Sequence, residues 1–117
     1  MNNFNDKVVL ITGAGNGIGR ATALAFAQQG ARVVVADMSR SAGEETTTLI
    51  TQAGGTATFI LCDVTKDQDV QSMVNGTIET YGKLDIAFNN AGIEIESSKL
   101  ADGDEATYDK IMDVNVK

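Results

Sequence analysis

Histidine, proline and tryptophan are absent from these 117 residues, and cysteine occurs once, at Cys62. A single thiol cannot close an internal disulfide. Without imidazoles or a second thiolate, no zinc-type ligand set can be assembled. A metal-free protein of a reducing compartment is expected. Basic residues are also scarce: 9 Lys and Arg against 16 Asp and Glu leave a formal charge of -7. Such a field repels polyanions, which argues against nucleic acid and anionic membrane surfaces as partners. No apolar run approaches the roughly 20 residues that span a bilayer. Met1 to Lys7 also lacks the basic start and apolar stretch of a secretory signal. A cytoplasmic protein is predicted. With no proline and no Gly/Ser linker, nothing marks a second domain, and residues 1–117 read as one unit.

What remains is ordinary globular material, 43% hydrophobic and 21% charged. Four apolar runs, Val8 to Ile11, Arg32 to Ala36, Thr56 to Cys62 and Leu84 to Phe88, alternate with segments of helical period. Alternation of this kind predicts a parallel sheet, and nearly continuous apolar runs read as central strands covered on both faces. The 12 glycines and the series Ala21, Ala23, Ala25, Ala27 suit helices packed closely on that sheet. In the second helical segment Ala42, Thr46, Leu49, Ile50 and Ala53 share one stripe, which Gly54-Gly55 ends. The third has capping-box spacing at Thr65 and Gln68. It carries Val70, Met73, Val74, Thr77, Ile78 and Tyr81 on one face and stops at Gly82. A fourth helix is expected from about Asp104, with Tyr108, Ile111, Met112 and Asn115 on one face. The predicted fold is α/β: a doubly wound, Rossmann-like parallel sheet, incomplete, with four strands in the order 3-2-1-4 and flanking helices. Its fourth strand would be left as an open apolar edge, which invites pairing.

The first strand runs into Thr12-Gly13-Ala14-Gly15-Asn16-Gly17-Ile18-Gly19 and then a helix. At such a boundary free N–H groups and the helix dipole attract phosphate, and glycines let backbone approach it closely. Several nucleotide motifs share these features. An NTPase loop needs Lys-Ser or Lys-Thr after its last glycine, whereas Gly19 is followed by Arg20-Ala21. The common G-x-G-x-x-G from Gly13 would need glycine at Ile18. The glycines fit T-G-x-x-x-G-x-G. A methyltransferase-like G-x-G-x-G at Gly13, Gly15 and Gly17 also fits, although the acidic residue usual two positions before it is Ile11 here. S-adenosylmethionine is therefore the second ligand class. Asp37 ends the second strand, 18 residues beyond Gly19, where a dinucleotide fold places its acceptor for the adenosine ribose. A carboxylate there repels a 2'-phosphate and favours NAD over NADP, a preference that nearby Arg40 softens. Asp63, closing the third strand, reads equally as an acceptor for the adenine amino group and as a turn residue before Thr65. Cys62 reads as a small buried hydrophobe.

After the fourth strand come Asn89-Asn90-Ala91-Gly92, two amides and two small residues at the same rim. Taken in order, the Thr12 to Gly19 turn, Asp37, Asp63-Val64, Asn89 to Gly92 and Val114-Asn115-Val116 resemble the short-chain dehydrogenase/reductase family over nearly the whole chain. The resemblance implies that Gly13, Asn16, Gly17, Ile18 and Gly19 line the cofactor phosphates and ribose, and that Thr12 bonds the Asn90 loop. It implies that Asp37 and Met38 flank adenosine, that Asp63 and Val64 hold adenine, and that Asn90, Ala91 and Gly92 touch the riboses. Asn115 becomes the family's catalytic-helix asparagine, which organises a water and a lysine for proton relay. The reaction implied is hydride transfer between a small alcohol or ketone and NAD, with a tyrosine and a lysine at Tyr-x-x-x-Lys spacing. Tyr81 is followed four residues on by Asp85 and Tyr108 by Met112, so that pair is absent, and the family's serine is expected beyond Lys117. Residues 1–117 are thus expected to be the cofactor-binding part of a longer oxidoreductase, homo-oligomeric at full length, with the catalytic part absent. The alternative is a binding or assembly module without turnover.

Overall fold

The computed structural model describes residues 4–90 and 110–113. Its strands are β1 (Val8–Thr12), β2 (Arg32–Asp37), β3 (Thr56–Leu61), β4 (Ile86–Asn89) and β5 (Lys110–Asp113). Helices α1 (Gly17–Gln28), α2 (Arg40–Gln52) and α3 (Asp67–Tyr81) link the first four. The sheet order is β3-β2-β1-β4-β5, and every pairing is parallel. The chain builds outward from β1 to β3 and then crosses to β4 on the other side of β1. This reversal opens a crevice at the carboxyl ends of β1 and β4, the position where open α/β sheets bind ligands.

The pleat explains the continuous apolar runs. Val9 and Ile11 pack with Val33, Val35, Ala23 and Ile50 on the α1 and α2 face. Leu10 packs with Val34, Val70, Met73 and Val74 on the α3 face. All five residues of β1 are buried. At about 25 cal/mol per Å² of apolar surface, burial on both faces makes β1 and β2 the energetic centre of the sheet. β3 departs from the reading as a central strand. Among the described residues it lies at the sheet edge, where the order 3-2-1-4 places it, with Thr56 and Leu61 exposed.

Each helix departs slightly from its sequence pattern for a local reason. α1 buries Gly19 and Ala23 rather than the whole alternating alanine series, since residues two apart cannot share a helical face. In α2 the inward positions are Gly43, Thr46 and Ile50, while Leu49 is exposed. The register is set at Gly43, where an added Cβ would lie 2.0 Å from a ring carbon of Phe59. Ser39 caps this helix by accepting from the Ala42 N–H. The Thr65/Gln68 capping box does not form. α3 starts after Lys66, and Thr65 donates to Asp63 instead; Asp67 and Asp69 complement the helix dipole in the first turn. Gly82, in the left-handed conformation, ends α3 as expected.

The largest departure is at the chain's far end. The helix expected from about Asp104 is not found over the described residues 110–113, which form β5 against β4 in the register Ile86 with Lys110 through Asn89 with Asp113. An open β4 edge leaves a row of unpaired N–H and C=O groups, and a four-residue parallel rung satisfies them at once. The helical period of these residues, costly to nucleate, has no comparable return. β4 is therefore not the open edge that four strands alone would leave. No helix among the described residues is long and apolar enough to cross a membrane.

Candidate functional site

The carboxyl ends of β1, β2, β3 and β4 bring their last residues to one rim. The β1–α1 turn is tied down by the Ala14 N–H donating to Ala36 O at 3.1 Å. Gly13 and Gly17 both have φ near +60°, which side-chain-bearing residues rarely adopt. Gly19 is needed for space. A Cβ there would lie 1.9 Å from the Gly13 carbonyl and 2.7 Å from Asn90 Nδ2. Asn16 precedes α1 without a side-chain cap, and the first turn holds no acidic residue. The N–H groups of Gly17, Ile18 and Gly19 have no acceptor within the helix, so they are available to an external anionic oxygen.

Asp37, the last residue of β2, is held at both carboxylate oxygens. Oδ2 accepts from the Gly15 N–H at 2.8 Å and Oδ1 from the Ser39 N–H at 2.8 Å. Two of about four acceptor positions are used, leaving two for outside donors. A cavity of about 330 Å³ opens beside it, lined by Gly13, Asp37, Met38, Cys62, Asp63 and Val64. That is at the lower end of the ligand-pocket range, about 300–1,000 Å³. Ile18 and Met38, 52% and 68% exposed, are large apolar side chains left in water at the same rim. A groove of about 380 Å³ lies at the other end of the sheet among Ala27, Gly30, Gly54 and Thr56, and carries no ionisable side chain.

Asp63 does form the turn its sequence position suggests: Oδ1 accepts from the Thr65 N–H at 3.0 Å and from the Thr65 hydroxyl at 2.6 Å. The Thr65 hydroxyl, and then its N–H, hold the carboxyl below the usual range. Oδ2 has no partner among the described residues, so the turn role and an acceptor role coexist. Its backbone N–H is committed to Asp69 Oδ2 at 3.0 Å. Cys62 is buried, and burial, with smaller contributions from Asp69 and Asp63, pushes its thiol up to about 11. It is a packing residue, as expected, and a poor nucleophile.

At the end of β4 the Thr12 hydroxyl joins two loops. It accepts from the Asn90 N–H at 2.9 Å, and its proton reaches Asn89 Oδ1 at 3.2 Å or Phe88 O at 3.4 Å. Asn89 Nδ2 and Asn90 Oδ1 are buried with no partner among the described residues.

Gly13, Asn16, Gly17, Ile18, Gly19, Asp37, Met38, Asp63, Val64 and Asn90 thus all lie on the turn and strand ends of one rim. Ala91, Gly92 and Asn115 lie outside the described residues. The helical stripe that supported Asn115 does not hold at Ile111 and Met112, which are in β5. Sequence reasoning passed over Gly15 and Ser39, whose N–H groups aim Asp37, because backbone donors leave no mark in residue type.

A family model for short chain dehydrogenase matches residues 7–117. The chain belongs to the short-chain dehydrogenase family. An uncharacterized oxidoreductase of Thermotoga maritima is 50% identical over 115 residues, which is 98% of this chain and 45% of that protein. Cyclohexanol dehydrogenase of an Acinetobacter species is 40% identical over 115 residues, 98% of this chain and 46% of that protein. A solved 7α-hydroxysteroid dehydrogenase, in complex with NADH and 7-oxo glycochenodeoxycholic acid, superposes with a TM-score of 0.75 at 36% identity. The match covers 82% of this chain and 40% of that one. The chain spans about half the length of the curated relatives it matches. In this short-chain dehydrogenase chain the Thr12–Asn90 tie and the close approach of Asn90 Nδ2 to Gly19 couple the glycine turn to the end of β4.

Proposed function

We propose that the protein is an NAD-preferring oxidoreductase of small alcohols or ketones, with residues 1–117 holding the dinucleotide. The observation that carries this reading is Asp37, whose carboxylate is aimed by two backbone N–H groups and keeps two acceptor positions at the mouth of the 330 Å³ cavity. Two acceptors match the two hydroxyls of an adenosine ribose, and the fixed negative charge opposes a 2'-phosphate. The rest of the rim fits the same ligand. Uncapped N–H groups at Gly17 to Gly19 suit pyrophosphate, and a Cβ at Gly19 would close the turn. The Asp63 carboxylate and Val64 suit adenine. The unpartnered Asn90 Oδ1 offers an acceptor to a ribose hydroxyl.

A nicotinamide cofactor held by these residues would supply the hydride-transfer chemistry. The residues of this chain bind and orient: Thr12 holds the Asn90 loop against the glycine turn, and Asp37 sets which dinucleotide enters. Ala91, Gly92 and Asn115 extend the site on the family pattern, Asn115 as contributor to proton relay. Proton exchange with the substrate belongs to residues outside this chain, since neither tyrosine has a lysine four residues on. The cyclohexanol dehydrogenase and hydroxysteroid dehydrogenase relatives support an alcohol or ketone substrate class.

Equilibrium titration with NAD, NADP and S-adenosylmethionine tests the ligand class; preference for the last would overturn the reading. Asp37→Ser should lower the NAD-to-NADP affinity ratio by about tenfold or more, the effect of one or two lost charge-assisted hydrogen bonds. An unchanged ratio would remove Asp37 from the site.

A further inference from the structure

Arg20 and Thr46 have no part in the cofactor contacts above, yet they converge on Gly15, one of the two residues whose N–H groups aim Asp37. The Gly15 carbonyl accepts from the Thr46 hydroxyl at 3.2 Å and also from Arg20 Nη2. Thr46 is fully buried, and its hydroxyl in turn accepts from Arg20 Nε at 2.9 Å. Both capacities of that hydroxyl are therefore used, one on each side. Arg20 Nη2 also reaches Glu45 Oε1 at 2.9 Å and Ala42 O at 3.4 Å, so the guanidinium clamps the glycine turn to α2. Gly15 has no slack in the other direction: an added Cβ would lie 2.8 Å from both Ala42 Cβ and Asp37 Oδ2. Its N–H is then the 2.8 Å donor to Asp37.

We propose that Arg20 and Thr46 are positioning residues for cofactor discrimination, fixing Gly15 and through it the orientation of the Asp37 carboxylate. This rests on the reading of Asp37 as the adenosine-ribose acceptor. A carboxylate fixed at both oxygens presents its two remaining acceptor positions together to a diol and cannot turn away from a 2'-phosphate. Released from Gly15, it loses the paired geometry and gains room to withdraw from the phosphate. NAD affinity falls while NADP affinity falls less or rises. A general weakening of the fold would lower both alike.

The experiment measures dissociation constants for NAD and NADP in wild type, Thr46→Val, Thr46→Ser and Asp37→Ser. Valine matches threonine in shape and lacks the hydroxyl; serine keeps it. The expected result is a three- to tenfold fall in the NAD-to-NADP affinity ratio for T46V, on the scale of one lost buried hydrogen bond. T46S should stay within about twofold of wild type. If T46V leaves the ratio unchanged, or T46S falls as far as T46V, the proposal is wrong. If D37S leaves the ratio unchanged, the underlying reading of Asp37 fails; if D37S moves it and T46V does not, the positioning role alone fails. Should T46V not fold, Arg20→Lys keeps the charge but cannot serve Thr46, Gly15 and Ala42 together, and the same fall in ratio is required of it.

Discussion

Thr12→Val is the most informative single change for the coupling of sheet and site. The side chain is buried, and valine replaces its hydroxyl with a methyl of similar volume, so packing is nearly conserved. Two polar groups lose their partner: the Asn90 N–H, bonded at 2.9 Å, and Asn89 Oδ1, bonded at 3.2 Å. Asn90 is only partly buried and can recruit water, so its loss belongs at the low end of the range, about 1 kcal/mol. Asn89 is 1% exposed and its Nδ2 already has no partner, so its amide would be left with none on either side among the described residues. That places its cost at about 2 kcal/mol, for a total of roughly 2–4 kcal/mol. Thr12→Ser keeps the hydroxyl and removes one methyl, worth about 1 kcal/mol. In urea unfolding with an m-value of about 2 kcal/mol/M, T12V should lower the midpoint by about 1–2 M and T12S by about 0.5 M. Adding Asn89→Leu to T12V should cost less than the sum of the two changes, because both ends of the bond are then apolar. Equal midpoints for T12V and T12S would show that the hydroxyl network contributes nothing to stability.

Two further outcomes follow from the same geometry. Gly19→Ala forces a methyl against the Gly13 carbonyl, so the turn must open. Dinucleotide affinity should fall more than tenfold while far-UV circular dichroism stays native-like, and an unaltered dissociation constant would refute the close-approach account. Cys62, with its thiol pushed up to about 11, should be alkylated at pH 8 roughly two-hundredfold more slowly than an ordinary thiol of pKa about 8.5, from ionisation alone. The sign of the linked stability follows: the unfolded chain loses this proton first, so the contribution is complete below about pH 8.5 and declines as the pH rises above it. Alkylation of the native protein at the rate of a small free thiol would contradict the burial.

The strands were legible because both faces of β1 and β2 are covered, which leaves unbroken apolar runs that no amphipathic helix would show. Hydropathy ended three of them too early, at Ile11, Ala36 and Phe88. The ladder in fact continues one residue further in each case, pairing Thr12 with both Ala36 and Asn89 and Asp37 with Leu61. Those added rungs are polar residues at the rim of the candidate site. A strand that delivers a functional side chain must turn polar while still hydrogen-bonded, so a boundary drawn by apolar content falls short where function begins. The glycine turn was legible for the opposite reason: positive φ and close contact at Gly13, Gly17 and Gly19 select one residue type, and that choice is written in the sequence.

What stayed hidden was decided between distant segments. Thr46 has the right helical phase to join an apolar stripe, and only the approach of Gly15, 31 positions earlier, gives its hydroxyl a partner and makes it a polar contact rather than a core residue. Residues 110–113 show the same limit at the level of the backbone. Their helical period is a local property, whereas their strand is set by the unpaired edge of β4, which enters no local window. Both cases concern how a secondary element meets the rim rather than whether the rim exists. Spacing alone left two ligand classes open, and the order of motifs along successive strand ends pointed to a nicotinamide cofactor. The hold of α2 on the glycine turn, on which the proposed discrimination between two dinucleotides rests, is visible only once the segments are brought together.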